Sequence, residues 1–252
     1  MLILENVSKN FGGLAALAGI SFQTNKGEIL GVIGPNGAGK TTLFNLITGV
    51  LSPSQGKIIY RDTSLIGVSP HKITEMGIAR TFQNIRLFGD MTVLENVMVG
   101  AHCRTKAGLW HGLWRTKAQQ AEEKTIRDKA YEVLDLMGIL PESGALAGAL
   151  PYGKQRRLEI ARALATEPEL VLLDEPAAGM NESETEDLRL LIGKIKKLGK
   201  TVILIEHDMH LMMNVCERFV VLNFGKKIAE GGSAEIQENP EVIEAYLGKE
   251  DA

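Results

Sequence analysis

The chain has 252 residues, 44% of them apolar, which allows one large domain or two closely joined lobes with a substantial core. Its 28 Lys and Arg stand against 31 Asp and Glu, a formal net charge of −3, so the charge balance argues against nucleic acid and against general binding to a membrane surface. Cys103 and Cys216 have no metal or redox spacing and read as packing residues; there is no apolar run of the ~18 residues a membrane span needs and no secretory leader pattern, which predicts a cytoplasmic protein.

In chain order, Leu2–Leu4 and Ser21–Gln23 read as strands around the loop Phe11-Gly12-Gly13, and Lys57–Tyr60 as another after the turn Ser52-Pro53-Ser54-Gln55-Gly56. Their spacing predicts antiparallel, hairpin-like pairing. Between them, Glu28–Ile33 is a short apolar strand, followed by a glycine-rich run and then by Leu43, Leu46 and Ile47 at helical spacing. From Thr92 to Pro141 strand signals vanish. Thr92 and Glu95 have the form of a capping box, and Lys117–Gly138 is a long helical segment that becomes amphipathic through Ile126, Ala130, Val133, Leu134 and Met137. A helix is expected over Leu158–Ala165. Strands then return: Leu170–Leu173 is wholly apolar, as in a buried parallel sheet, and Thr201–Ile205 is a second buried strand, with a helix over Ser183–Leu198 between them and Gly199 as its C-terminal cap. Phe219–Leu222 and Lys226–Glu230 read as a hairpin about Asn223-Phe224-Gly225.

Three constellations carry chemistry. Gly34-Pro35-Asn36-Gly37-Ala38-Gly39-Lys40-Thr41, with Thr42 next, fits G-x-x-x-x-G-K-[ST] between a strand and a helix. There backbone N–H groups and the helix dipole close round a triphosphate, Lys40 faces the β- and γ-phosphates, and the Thr41 hydroxyl can ligate Mg²⁺. Asp174 and Glu175 end a buried apolar strand, where carboxylates are costly unless used. Behind a phosphate loop, Asp174 is placed to hold Mg²⁺, and Glu175 to orient and deprotonate water. Leu150-Pro151-Tyr152-Gly153-Lys154-Gln155-Arg156-Arg157 opens a helix 19 residues or so before the carboxylates.

The last segment resembles the Leu-Ser-Gly-Gly-Gln signature of ATP-binding cassette ATPases, and the order of motifs from residue 2 to about 230 is similar to that family. The resemblance implies an α/β fold: a P-loop NTPase (RecA-like) core with a mainly parallel sheet, an N-terminal antiparallel β subdomain and an inserted α-helical subdomain. The expected division is residues 1–91 and 165–230 for the core with its β subdomain, 92–164 for the helical signature subdomain and 231–252 for a helical extension. It also implies that Phe11 stacks on adenine, that Gln83 contacts Mg²⁺ and the lytic water, that Ala178-Gly179-Met180-Asn181 touches a partner subunit, and that His207 contacts the γ-phosphate. The implied activity is ATP hydrolysis at two sites between two cassettes, homo- or heterodimeric, each taking its signature N–H groups (Tyr152, Gly153) from the other. Pro151 departs from the signature serine and removes both a hydroxyl and an N–H.

Gly77–Phe88, Pro176–Asn181, Glu206–Met209, the segment from Ala101 to Ala130 and the ending Glu244-Ala245-Tyr246-Leu247-Gly248 look most like the longer ATPase subunit of branched-chain amino-acid importers. That implies two membrane permeases, docking near Arg86–Asp90, a periplasmic solute-binding protein, and attachment at the inner face of the membrane. An exporter ATPase of the lipopolysaccharide type and importers of amides or urea remain alternatives. Trp110, His111 and Trp114 form a local packing cluster or a partner surface.

Overall fold

Two interiors, separated by one sheet, hold the protein together. The computed structural model describes residues 1–101, 103 and 117–247; Trp110, His111 and Trp114 lie outside the described residues. A four-stranded antiparallel sheet is formed by β1 (Leu2–Phe11), β2 (Leu14–Gln23), β4 (Gln55–Tyr60) and β5 (Thr63–Ser64) in the order β2-β1-β4-β5. The second sheet contains β3 (Ile29–Ile33), β6 (Ile78–Arg80), β7 (Leu170–Asp174), β8 (Thr201–Ile205), β9 (Arg218–Asn223) and β10 (Lys226–Gly231) in the order β10-β9-β3-β8-β7-β6. It is parallel except for β10, which turns back against β9.

Strand alternation divides the core. Val171, Leu173, Val202, Leu204, Phe219 and Val221 face one cluster; Leu170, Leu172, Ile203, Ile205, Val220 and Leu222 face the other. Both faces are buried because successive side chains of a strand point to opposite sides. The second cluster is closed by α1 (Lys40–Ile47) and by Leu2, Leu4, Ile20 and Tyr60 of the antiparallel sheet. The first is closed by α3 (Val93–Ala101), α4 (Lys117–Leu136), α5 (Tyr152–Leu164), α6 (Glu182–Lys197) and α7 (Met209–Val215). The expected amphipathic face of α4 is the one buried: Ile126, Ala130 and Leu134, with Met137 just beyond, join Val93, Val97 and Leu158 in that cluster. The short α2 (Pro70–Glu75), α8 (Ser233–Gln237) and α9 (Pro240–Leu247) complete the chain. Among the described residues no helix is long and apolar enough to cross a membrane.

Several boundaries differ from the sequence pattern. β1 and β2 are ten residues each, not three; register shifts after Leu4 and Val7 break the period-2 alternation that would have revealed them. The signature helix α5 starts at Tyr152, not Leu158, with Pro151 at its N-cap. Its early turns bury Gly153 and Arg156 rather than a run of apolar residues, so the hydrophobic period begins a turn and a half late. The Thr92 box is formed: the Thr92 N–H donates to the Glu95 carboxylate at 2.8 Å, and the Glu95 N–H donates to Thr92 Oγ1 at 3.2 Å.

Candidate functional site

Four parallel strands end on one edge, and each delivers part of the site, as expected where strands of an open α/β sheet release their loops. Beyond β3 the backbone takes φ of +149° at Gly34 and +103° at Gly39. A Cβ at Gly34 would stand 2.0 Å from the Leu222 carbonyl oxygen, and one at Gly39 2.6 Å from Leu17 Cδ2. Only glycine fits, because both the angle and the neighbouring backbone exclude a side chain. Lys40, buried on the first turn of α1, donates to the carbonyls of Gly34 at 2.7 Å and Pro35 at 3.1 Å. Burial pulls its pKa below the ordinary lysine range, against the opposing pull of Glu175 and Asp174.

Asn36, Gly37, Ala38, Gly39, Lys40, Thr41 and Thr42 line a cleft of about 460 Å³ together with Gln83, Glu175 and His207. Glu175 sits just past β7 with φ of +48°, a costly angle for a non-glycine residue. The turn separates the adjacent carboxylates: Asp174 stays in the interior at 1% exposure, and Glu175 swings into the cleft. Gln83 Nε2 donates to Glu175 Oε2 at 2.8 Å, and His207 Nε2 lies 2.9 Å from Glu175 Oε1. A carboxylate only accepts, so this His207 nitrogen carries the proton. Glu175 is thereby oriented by one side chain from the loop after β6 and one from the loop after β8.

Asp174 has a different partner. Its Oδ2 accepts from Arg80 at 2.8 Å, while Arg80 also donates to Asn45 Oδ1 at 2.6 Å. Burial raises the Asp174 pKa above the usual carboxylate range, with Arg80 opposing. Its other oxygen, Oδ1, is buried and accepts no hydrogen bond. An orphaned buried carboxylate oxygen fits a cation or its water. Thr41, Asp174 and Gln83 offer a hydroxyl, a carboxylate and an amide, a hard oxygen set suited to Mg²⁺ completed by waters and substrate phosphates. Among the described residues there is no cluster of three His, Cys, Asp or Glu side chains that would make an all-protein cage.

Glu206, overlooked in the sequence, supports the site from below. It is 5% exposed, and its two oxygens accept the N–H groups of Ala177 and His207. Burial raises its pKa, with those two N–H groups opposing. The signal was available: a carboxylate at the end of an apolar strand, as at Asp174. Arg156 and Glu159 of α5 are a second omission. Fully buried, Arg156 donates to the carbonyls of Phe82 at 2.6 Å and Gln83 at 2.8 Å. It also donates to the Tyr152 hydroxyl at 3.3 Å.

Phe11, Tyr152 and Gly153 stand outside the cleft wall. Phe11 ends β1 half-exposed with the Lys9 ammonium 5.1 Å from its ring centroid. Tyr152 and Gly153 open α5, where the Tyr152 ring lies against Gly179. Leu14, Ala15, Ala16, Phe224 and Gly225 line the cleft instead. Cys216 is buried and its thiol is pushed up to about 12, chiefly by burial, which fits packing rather than reactivity.

The family profile described as "ABC transporter" matches residues 17–178, and that of the "branched-chain amino acid ATP-binding cassette transporter" matches residues 226–252. The chain is 44% identical over 250 residues to the high-affinity branched-chain amino acid transport ATP-binding protein LivG of Salmonella typhimurium, covering 99% of this chain and 98% of that one. It is 42% identical to the corresponding protein BraF of Pseudomonas aeruginosa with the same coverage. Among solved structures, a nucleotide-free ATP-binding cassette and an ATP-binding cassette in its ADP conformation, both from ABC transporters, superpose with TM-scores of 0.85 at 34% identity, covering 99% of both chains in each case.

Proposed function

The chain belongs to the ABC transporter family as an ATP-binding subunit, and we propose that its ATP hydrolysis powers import of branched-chain amino acids. One observation carries the hydrolytic reading: Glu175 is held between Gln83 and His207 over a glycine loop shaped for a triphosphate. The solute comes from likeness over the whole chain to subunits named for that transport.

In this reading the loop N–H groups and Lys40 bind the phosphates, Lys40 exchanging its loop carbonyls for phosphate oxygens. Glu175 accepts the proton of the attacking water. Gln83 and His207 hold that carboxylate in place, and His207 presents its ring to the γ-phosphate. Thr41, Asp174 and Gln83 would hold Mg²⁺, which would supply positive charge to offset that of the phosphates. Residues 1–91 and 165–230 act as the nucleotide-binding body, 92–164 as the helical signature lobe and 231–252 as an extension. A second cassette, a copy or a relative, receives the Tyr152 and Gly153 N–H groups across the dimer. Two permeases dock on the two cassettes, one of them in this chain's groove of about 640 Å³ lined by Arg86, Leu87, Phe88, Val99 and Arg162, placing the subunit on the inner face of the membrane. A periplasmic binding protein delivers the solute to them.

The test is uptake. In the native host lacking this subunit, saturable uptake of labelled leucine, isoleucine and valine should fall to background. It should return with the wild-type gene and not with Lys40→Ala. Undiminished uptake of all three, with loss of some other solute, would refute the assignment.

Pro151 offers a separate measurement. As the N-cap of α5 it provides no side-chain cap. Pro151→Ser adds an acceptor for the helix N–H groups, worth about 0.5–2 kcal/mol of stability. It also restores a hydroxyl toward the partner's nucleotide, worth roughly 1.5–3 kcal/mol as a charge-assisted bond. The variant should melt a few degrees higher and dimerise with ATP roughly tenfold more tightly by sedimentation. A higher melting point with unchanged dimer affinity would confine the serine to a capping role.

A further inference from the structure

A fixed guanidinium stands beside the carboxylate placed to meet the metal. Arg80 ends β6, and its Nη2 donates to Asp174 Oδ2 at 2.8 Å. The two side chains are 6% and 2% exposed. Arg80 does not depend on Asp174 for its position. Its Nη1 donates to Asn45 Oδ1 of α1 at 2.6 Å and to Thr48 Oγ1, just past that helix, at 3.4 Å. Its guanidinium also lies 5.5 Å from the Phe44 ring centroid and 5.2 Å from that of Phe82. Two oxygens and two aromatic faces thus hold the cation where it is, whatever else Asp174 binds.

This leaves Asp174 half used. Oδ1 is buried without a hydrogen bond, yet the carboxylate's charge is already paired with Arg80. Lys40 adds a second cation, its ammonium within electrostatic reach of both Asp174 and Glu175. A divalent ion arriving alone at Oδ1 therefore meets two positive side chains and a carboxylate that is no longer a free counter-charge. Unbalanced charge is costly in an interior. A triphosphate brings the missing negative charge. We propose that Arg80 bars Asp174 from divalent cations until nucleotide phosphates fill the glycine loop, so that cation and nucleotide enter together. This rests on the reading that ATP phosphates occupy the loop.

The experiment titrates the full chain with Mn²⁺ in the absence of nucleotide. Mn²⁺ takes the same hard oxygen ligands as Mg²⁺, and its free form is followed by electron paramagnetic resonance, with Tm by calorimetry alongside. Arg80→Gln keeps a donor for Asp174 and removes the charge, and one adjacent charge is worth roughly one to three powers of ten in affinity. The variant should bind Mn²⁺ at least about tenfold more tightly than the wild type, and melt higher with Mn²⁺ than without it. Arg80→Lys keeps the charge and should behave as the wild type. Arg80→Gln combined with Asp174→Asn should lose the gained site, which separates it from weak surface binding. No gain in Arg80→Gln, an equal gain in Arg80→Lys, or a gain that survives Asp174→Asn overturns the proposal. The underlying reading is tested apart from it, on wild-type Tm with ATP in EDTA and with ATP and Mn²⁺. A Tm raised by neither means that ATP does not occupy the loop, whatever the Arg80 variants do.

Discussion

Glu175→Gln should lower kcat for ATP by roughly 10²–10⁴-fold, the range expected from losing a general base, while leaving ATP affinity within a few-fold. The substitution keeps the side chain's shape, so the turn at φ +48° and the reach toward Gln83 and His207 are preserved. Its amide oxygen can still accept from Gln83. Its new N–H group can face His207 if that ring moves its proton to Nδ1, so the fold has no reason to fail. What is lost is proton acceptance. With Mg²⁺ and ATP the variant should accumulate a dimer on size exclusion that disperses in EDTA, while the wild type turns over and stays largely monomeric. Retention of more than a tenth of the wild-type kcat would remove Glu175 from the role of base. ATP binding without a dimer would point to a different cassette as the natural partner.

The fold was most readable where one residue pattern decides the structure alone. β7 and β8 are apolar runs apart from Asp174 at the end of one and Thr201 at the start of the other, and both are buried on both faces. The glycine loop could be placed because angle and backbone clearance at Gly34 and Gly39 tolerate no other residue. Local pattern failed where a distant partner decides. Asp174 and Glu175 are neighbours in sequence, yet one is held inside by Arg80 and the other faces the cleft; the separation comes from a single strained angle and an arginine 94 residues away. The start of α5 was hidden because its first turns answer to the loop after β6 rather than to an apolar face. Phe11 and Phe224 show the same limit: both are exposed aromatics near glycines, and only tertiary placement puts Phe224 in the cleft wall.

The second large effect belongs to that hidden helix. Arg156→Ala should destabilise the protein by about 3–5 kcal/mol, because it strands Glu159 as an uncompensated buried charge. For a chain of this size that is a fall in Tm of roughly 10 °C. The pair is 0% and 2% exposed, so water does not screen the loss. Glu159 would keep the N–H groups of Phe82 and Arg86, at 3.3 and 3.4 Å, and the more distant charge of Arg162. Arg156→Lys should rescue little, since one ammonium cannot reproduce the fork that bridges two carbonyls and a carboxylate. Replacing both residues, as Arg156→Leu with Glu159→Leu, separates stability from catalysis. With no charge left buried, most of the lost stability should return. The carbonyls of Phe82 and Gln83 still lack their donor, so Gln83 is no longer aimed at Glu175 and kcat should stay low. Calorimetry beside steady-state ATPase kinetics decides the matter. If kcat recovers together with Tm, the ion pair only holds the fold; if Tm alone recovers, α5 positions the Gln83 loop for hydrolysis from the same helix whose first turn we propose to face the partner's nucleotide.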